Sequence, residues 1–254
     1  MKNNAKIIYH NKRKQQPLFI FGHRGAPKAY PENSLLAINE AIKKGADGVE
    51  FDIRLTKDRE VVLFHDDYMV CGEKKYFISK TPYKTIKKIC IKNQVPPPDL
   101  FLNMVPIINQ NPNTLFNIEI KSTEYNNAYI LRYILNNICN SALKNQCIIS
   151  SFNILLLYQL KIQFNYKYSL GYILASKYLK HWWGLLYNKI CIYFLRPHFF
   201  HMNIDYINRH IISWIHSKNI LINTYTVNNM QTIKKCIKLK VDGVFTDDHH
   251  LYKL

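Results

Sequence analysis

Residues 48–55 read Gly-Val-Glu-Phe-Asp-Ile-Arg-Leu, and this stretch has the apolar–charged alternation of a β-strand. Successive side chains of a strand point to opposite faces, so Glu50 and Asp52 share one face while Phe51 and Ile53 share the other. Two carboxylates on one face repel each other unless a proton or a cation lies between them. The stretch therefore predicts a strand that packs on one side and carries chemistry on the other.

Similar short runs alternate with segments of helical periodicity along almost the entire chain. The predicted strands are Leu18–Gly22, Gly48–Leu55, Leu115–Lys121, Gln146–Ser150, Tyr168–Leu174, Ile190–Leu195, Ile220–Thr226 and Asp242–Thr246. The predicted helices are Leu35–Lys44, Tyr125–Asn140, Asn153–Gln163, Ile204–Lys218 and Asn229–Leu239. Eight strand–helix units in 254 residues predict an α/β protein, a closed (β/α)8 TIM barrel rather than an open doubly wound sheet.

One large domain accounts for most of the chain in this interpretation. Residues 1–17 are predicted to form a basic, solvated N-terminal tail, because five of the first fourteen residues are lysine or arginine. Residues 18–254 are predicted to form the single barrel domain. Residues 66–113 interrupt the alternation after the second barrel strand, and we expect them to form a small insertion on the barrel rim.

Composition narrows the classes of function. The chain has 35 lysines and arginines against 17 acidic residues, and its net charge of +18 predicts a nucleic acid, a membrane surface or a phosphorylated small molecule as partner. Its six cysteines are scattered and form no Cys-x-x-Cys pair, which argues against a disulfide framework or a thiolate zinc site. Free thiols suit a reducing compartment. With neither a secretory signal nor a run of about 20 apolar residues in view, we expect a cytoplasmic protein.

Two histidines follow predicted strands at positions suited to catalysis. Polar residues at the carboxyl ends of (β/α)8 strands are the expected catalytic ones. The first strand is followed by His23 and Arg24; an imidazole exchanges protons near neutral pH, and a guanidinium binds two phosphate oxygens at once. The short run Val61–His65 ends in a second imidazole, so His23 and His65 are candidates for an acid–base pair.

The third barrel strand adds two more charged residues. Glu119 and Lys121 share one face of it, and charges within a buried strand are costly unless they are paired or bind a ligand. Glu119 is a candidate third oxygen ligand for a hard divalent cation beside Glu50 and Asp52, and Lys121 a candidate phosphate contact. Simple ion pairs are the alternative, including a Glu119–Lys121 pair that closes the barrel interior. The set as a whole suits metal-assisted cleavage of a phosphate ester.

At these residues the chain resembles the glycerophosphodiester phosphodiesterases. The matching motifs are His23-Arg24-Gly25, Pro31-Glu32-Asn33-Ser34, Glu50-Phe51-Asp52, His65-Asp66, Glu119-x-Lys121, Ser151-Phe152, Tyr225-Thr226-Val227-Asn228 and Asp242-Gly243-Val244-Phe245-Thr246-Asp247. They run in the same order along nearly the whole chain, so the resemblance is highly specific.

The resemblance implies a (β/α)8 barrel with a small insertion, and hydrolysis of glycerophosphodiesters to sn-glycerol 3-phosphate and an alcohol. It also implies Ca²⁺ or Mg²⁺ as cofactor, held by Glu50, Asp52 and Glu119. The remaining roles that it implies are acid–base catalysis by His23 and His65, phosphate contacts by Arg24 and Lys121, and a ring in the glycerol pocket from Tyr225. Water and the substrate's own glycerol hydroxyl are both open as the nucleophile.

Two other functions compete with this one. A lysophospholipase D-type phosphodiesterase would use the same metal and histidines but admit an acyl chain. A catalytically inactive, basic nucleic-acid-binding protein is disfavoured, because the basic residues are dispersed and the catalytic set is intact, so we expect no nucleic-acid partner. The aromatic segment Tyr178–Phe200 is assigned first to the packed core. The alternative is a peripheral membrane contact in which its lysines meet anionic headgroups.

Overall fold

The computed structural model describes residues 4–121, 129, 145–164, 168–175 and 182–253. Its strands are β1 (Phe19–Gly22), β2 (Gly48–Leu55), β3 (Val61–Leu63), β4 (Tyr68–Cys71), β5 (Lys74–Phe77), β6 (Leu115–Ile120), β7 (Cys147–Ser151), β8 (Ser169–Ile173), β9 (Phe199–Asn203), β10 (Leu221–Tyr225) and β11 (Gly243–Thr246). Its helices are α1 (Asn4–Arg13), α2 (Leu35–Lys43), α3 (Tyr83–Lys92), α4 (Met104–Gln110), α5 (Ile154–Phe164), α6 (Trp182–Leu195), α7 (Arg209–Ser217) and α8 (Met230–Leu239).

Eight parallel strands close into a barrel. Their hydrogen-bonded order is β1, β11, β10, β9, β8, β7, β6 and β2, and β1 also pairs with β2, which closes the ring. The prediction of a (β/α)8 barrel is confirmed. The helix predicted at Tyr125–Asn140 lies outside the described residues, apart from Tyr129.

Side-chain alternation along each strand separates the barrel interior from the layer of helices. Phe19 and Phe21 of β1 pack in one cluster with Phe199 and Phe245. Phe51, which has the opposite orientation on β2, belongs to the larger cluster that includes the inner faces of the helices. Because side chains alternate in the same way along β2 and β6, the polar residues of these two strands point into the barrel.

The sixth barrel strand is not where the sequence analysis placed it. Residues 190–195, predicted as a strand, are the last part of helix α6, and the strand is β9, Phe199–Asn203. An apolar run that contains few polar residues is equally compatible with a buried strand and with a helix. Pro197 follows the helix closely, since proline cannot continue a helix. The shift places His201 on a barrel strand.

The N-terminal residues are packed, and the prediction of a solvated tail is wrong for residues 4–13. Helix α1 buries Tyr9 completely; its ring stacks on Phe19 with 4.3 Å between centroids, and its hydroxyl donates to Oδ1 of Asn223. Lys12 lies 3.6 Å from a carboxylate oxygen of Asp47 at the entry to β2. The basic residues of α1 therefore anchor a helix that closes the end of the barrel where the strands begin.

The insertion after β2 has a small core of its own. Strand β3 pairs antiparallel with β2, and the β4–β5 hairpin packs with α3 around Met69, Ile78 and Ile86. Helix α4 instead buries Met104 and Ile108 in the main core. The separately packed part of the predicted 66–113 insertion thus ends before α4, because α4 already covers the barrel.

Candidate active site

The carboxyl ends of β1, β2 and β6 bring the predicted charged residues together. These strands are neighbours in the barrel, and Asp52 and Glu119 are directly paired in the register of β2 with β6. The loop after β1 approaches the same place, since the backbone N–H of Arg24 donates to Oε2 of Glu50 at 2.8 Å. Arg24 has a φ of 50°, a left-handed conformation that sharpens the exit from the strand.

Three buried carboxylates form the centre of the site. Glu50, Asp52 and Glu119 each offer an oxygen within 4.8 Å of the others. Oε1 of Glu50 is buried and has no hydrogen-bond partner in the described part of the chain, which is the condition expected of an oxygen that binds a cation. An all-oxygen donor set of this kind fits Ca²⁺ or Mg²⁺. The predicted cluster is present, and it fits a divalent metal.

Burial and mutual repulsion set the protonation of these carboxylates. Burial, with repulsion from Asp52, holds the pKa of Glu50 well above its usual range and raises that of Glu119 to about 7. Burial also acts to raise the pKa of Asp52, but the charges of Lys121, His65 and Arg24 and the hydrogen bond from Asn33 together outweigh it, so the pKa of Asp52 is lowered. Of the three carboxylates, Asp52 is therefore the one most firmly held in its ionised form.

Arg24 and Lys121, the two predicted phosphate contacts, lie among these carboxylates. Nζ of Lys121 is 3.1 Å from Oδ1 of Asp52 and also contacts Glu119. Arg24 lies between Asp52, 3.5 Å from its Nε, and Glu32, which accepts from Nη1 at 2.9 Å. The ion-pair alternative for Glu119 and Lys121 is thus realised in part, as one contact within a larger cluster.

His23 is held by a carboxylate from the last strand of the barrel. Its Nδ1 is 2.7 Å from Oδ1 of Asp247, and its Nε2 is 3.9 Å from Oε2 of Glu50. Since an ionised carboxylate only accepts hydrogen bonds, the neutral ring carries its proton on Nδ1. Nε2 then keeps its lone pair on the side of the carboxylate cluster.

His65 has a similar but more exposed arrangement. Its Nδ1 is 2.7 Å from Oδ1 of Asp66, and its carbonyl accepts two hydrogen bonds from the guanidinium of Arg54, which fix the backbone there. Burial lowers the pKa of His65, although the charge of Asp52 opposes this. The ring is therefore predominantly neutral at pH 7.

A cavity of about 170 Å³ opens onto this constellation. Seven of the eight predicted site residues line it, and Asp52 lies behind them. Tyr225 contributes its ring while its hydroxyl donates to the carbonyl of Leu174 at 3.0 Å. The residues lining the cavity are His23, Arg24, Glu50, His65, Asn117, Glu119, Lys121, Phe152, Ile173, His201, Tyr225, Thr226 and Phe245.

Three residues of the candidate site, Asp247, Asn33 and His201, were not predicted from the sequence. Asp247 stands in one of the motifs quoted for the family resemblance, but no role was given to it. Asn33 donates to Oδ2 of Asp52 and accepts from its backbone N–H, both at 2.9 Å, and its signal was the Pro-Glu-Asn-Ser motif. His201 had no signal, because its strand was misplaced. Burial lowers its pKa to about 3, so it is a neutral imidazole, and its Nε2 has no hydrogen-bond partner among the described residues.

Comparisons with known proteins point to one family. Over 245 residues the chain is 26% identical to a glycerophosphodiester phosphodiesterase of Bacillus altitudinis, covering 90% of this chain and 94% of that protein. A glycerophosphodiester phosphodiesterase of Caldanaerobacter subterraneus is 28% identical over 241 residues, covering 90% and 93%.

Solved structures show the same fold. A phosphodiesterase of Oleispira antarctica, determined in complex with the product sn-glycerol-3-phosphate, superimposes with a TM-score of 0.77 at 22% identity, covering 90% of this chain and 92% of that one. The sequence profile of the glycerophosphoryl diester phosphodiesterase family matches residues 23–251. That range contains all eight predicted site residues. The chain belongs to the glycerophosphoryl diester phosphodiesterase family.

Proposed function

We propose that this chain hydrolyses glycerophosphodiesters to sn-glycerol 3-phosphate and an alcohol, with a divalent metal and a pair of histidines. The observation that carries the proposal is the convergence of three carboxylates and two carboxylate-bound imidazoles on one cavity. The names of the full-length relatives and the product held by the Oleispira antarctica structure support the choice of substrate.

Glu50, Asp52 and Glu119 would hold the metal, either Ca²⁺ or Mg²⁺. When bound, it supplies positive charge that offsets the charge of the phosphodiester. The unpartnered Oε1 of Glu50 supports this assignment, because a buried acceptor without a donor is costly.

The two histidines would divide the proton transfers. His23 has Nε2 free to accept a proton, and the Asp247 carboxylate would stabilise the imidazolium that forms. His65, with its Nδ1 held by Asp66, would act on the other oxygen of the diester. The attacking group is either water or the substrate's glycerol hydroxyl; in the second case a cyclic phosphate forms first.

Arg24 and Lys121 would bind the phosphate, and Tyr225 would line the pocket for the glycerol. Both cations contact the carboxylate of Asp52, which holds them at the cavity wall. The guanidinium and the ammonium lie next to the metal ligands and line the same cavity as Tyr225, so both can contact phosphate oxygens there.

The size of the cavity favours a small substrate over a lysophospholipid. About 170 Å³ is room for a compact polar ligand such as glycerol phosphate. A neighbouring open pocket is lined by the charged Arg54 and Asp67 together with Ser151 and Asn153, which suits a hydrophilic alcohol better than an acyl chain. We therefore propose the glycerophosphodiester rather than the lysophospholipase D-type reaction.

A substrate screen tests the proposal. Glycerophosphocholine, glycerophosphoethanolamine and lysophosphatidylcholine are incubated with the protein, with and without EDTA, and the product that carries the phosphate is identified. We expect sn-glycerol 3-phosphate from the first two and loss of turnover with EDTA, restored by Ca²⁺ or Mg²⁺. Preferential cleavage of the lysophospholipid, or turnover that survives exhaustive chelation, would contradict the proposal.

We also propose a cytoplasmic location and no nucleic-acid partner. Cys71, Cys90, Cys147, Cys191 and Cys236 are all buried free thiols, which a reducing compartment preserves. Within the described ranges, none of the helices combines the length and the apolarity that a bilayer crossing requires. Filter binding with single- and double-stranded nucleic acid checks the second point, and retention at 150 mM salt would contradict it.

A further inference from the structure

Two neighbouring helices on the barrel wall expose apolar stripes to solvent. On α5 the exposed side chains are Leu155, Tyr158 and Ile162, spaced by three and four residues. On α6 they include Ile190, Tyr193 and Phe194, again on one side of the helix. The helices pack against each other, and Nζ of Lys161 on α5 donates to the carbonyl of Phe194. We call these six side chains the α5–α6 face.

The packed-core assignment for Tyr178–Phe200 is therefore wrong for part of the segment. Tyr193 is 64% exposed and Phe194 59% exposed. Tyr178 and the lysines at 177 and 180 lie outside the described residues. Exposed apolar side chains on two helices that contact each other are typical of a surface that binds a partner, since isolated domains keep exposed apolar areas small.

The charged side chains on these two helices are basic: Lys161 on α5 and Lys189 on α6, with Arg196 directly after α6. The sequence from residue 125 to residue 204 contains eight lysines and arginines and no aspartate or glutamate. Lys189 lies over the ring of Trp214, 5.8 Å from its centroid, and Arg196 lies 5.9 Å from the centroid of Tyr193. A second, larger cavity of about 820 Å³ opens at the end of α6, and Lys6, Lys189, Arg196 and Lys218 line it without any carboxylate from the described residues.

We propose that the α5–α6 face binds the surface of an anionic phospholipid bilayer. Tyrosine, phenylalanine and aliphatic side chains flanked by lysine and arginine are the composition of helices that lie in the membrane interface. The cations beside the face meet the headgroups, and each cation near an anionic surface contributes roughly fivefold to affinity. Helix α6 has fourteen residues and is therefore about 21 Å long, which is too short to cross a bilayer. In this proposal it lies along the membrane interface.

Charge also argues against a second copy of the chain as the occupant. Two such faces would bring an acid-free, basic stretch against its own copy, and like charges at an interface oppose association. The mouth of the catalytic cavity lies at the carboxyl end of the strands, whereas α5 and α6 run along the barrel wall. Binding of a membrane to this face therefore leaves the cavity accessible to a soluble substrate.

Vesicle sedimentation with a matched pair of variants tests this proposal. Ile162 of the α5–α6 face is 65% exposed and Ile91 on α3 is 63% exposed, so I162E and I91E make the same change at equal exposure. We expect the wild type to sediment with vesicles that contain 30% phosphatidylglycerol at least tenfold more strongly than with phosphatidylcholine alone. I162E and the double variant I190E/F194E should lose at least tenfold of that binding, and I91E should keep it.

Three outcomes would overturn the proposal. They are the absence of sedimentation with anionic vesicles at 50 mM salt, equal binding by I190E/F194E and the wild type, and a lipid-free dimer that I190E/F194E converts to monomer. The last result would assign the face to a second copy of the chain. Circular dichroism checks whether each variant is folded. If the double variant I190E/F194E does not fold, the binding of I162E alone decides the question. Because binding is read without substrate, failure of the proposed hydrolysis would not affect the result.

Discussion

The pairing of His23 with Asp247 gives the sharpest test of the catalytic assignment. We consider the substitution Asp247→Asn, which removes a charge but keeps the shape of the side chain. Oδ1 of Asp247 faces Nδ1 of His23, and Oδ2 accepts from Nδ2 of Asn228, both at 2.7 Å. The effect of the substitution depends on which way the new amide turns.

Asn228 decides that orientation. Its Oδ1 accepts from the backbone N–H of Asp247 at 2.8 Å and from Oγ1 of Thr246 at 3.2 Å, so its own amide cannot flip without losing both bonds. It therefore always presents its Nδ2 to position 247. The new asparagine must turn its carbonyl toward Asn228 and its NH₂ group toward His23.

A donor facing Nδ1 inverts the tautomer of His23. Nδ1 must then accept, so the proton moves to Nε2, and Nε2 loses the lone pair with which it would take a proton. Loss of a correctly oriented base costs roughly 10²–10⁴ in kcat. At about 1.36 kcal/mol per factor of ten, this is about 3–5 kcal/mol of transition-state stabilisation.

The assay is steady-state hydrolysis of glycerophosphocholine, with kcat and KM measured across pH and the fold monitored by thermal unfolding. Asp66→Asn is the matched control, because the Asp66 side chain is 66% exposed and its replacement can still turn a carbonyl toward His65. We expect Asp66→Asn to reduce kcat less than tenfold. A kcat for Asp247→Asn within threefold of the wild type, or equal losses in the two variants, would refute the reasoning.

Three further predictions concern His65 as the second histidine of the proposed acid–base pair, stability in acid, and the N-terminal helix. His65→Ala should reduce kcat roughly 10²–10⁴-fold with little change in unfolding temperature, and near-full turnover would exclude its role. Buried His198 and His201 have pKa values lowered to about 4 and about 3, so the unfolded chain takes up their protons first as pH falls. The stability that these neutral histidines contribute is thus complete above about pH 6.5 and is lost as the pH falls toward 4. At pH 5 the loss is about 2 kcal/mol per histidine in the free energy of unfolding, measured with urea. If His201→Asn left the slope of this free energy against pH unchanged, the prediction would be contradicted. Tyr9→Ala should lower the free energy of unfolding by about 3–5 kcal/mol, and a loss below 1 kcal/mol would show that α1 is not part of the barrel's packing.

Local alternation accounts for the part of the site that was predictable. Glu50 with Asp52, and Glu119 with Lys121, each share a strand face because side chains repeat every two residues, and that period is visible in the sequence. The register of β2 with β6 then places Asp52 beside Glu119. The positions of His23 and His65 at the ends of strands could likewise be predicted from the sequence, because at each of them an apolar run is followed by glycine or a polar residue.

By itself, the sequence determined the fold class and the family resemblance and predicted eight candidate site residues, because strand alternation and short motifs are visible in neighbouring residues and the motifs keep one order along the chain. Only the tertiary structure decided that Asp247, 224 residues away, holds His23, that Tyr9 closes the barrel, and that His201 reaches the cavity. It also decided that α5 and α6 leave apolar stripes uncovered. These contacts depend on how the sheet closes and on whether an apolar run becomes helix or strand, and both are settled by long-range packing rather than by local periodicity.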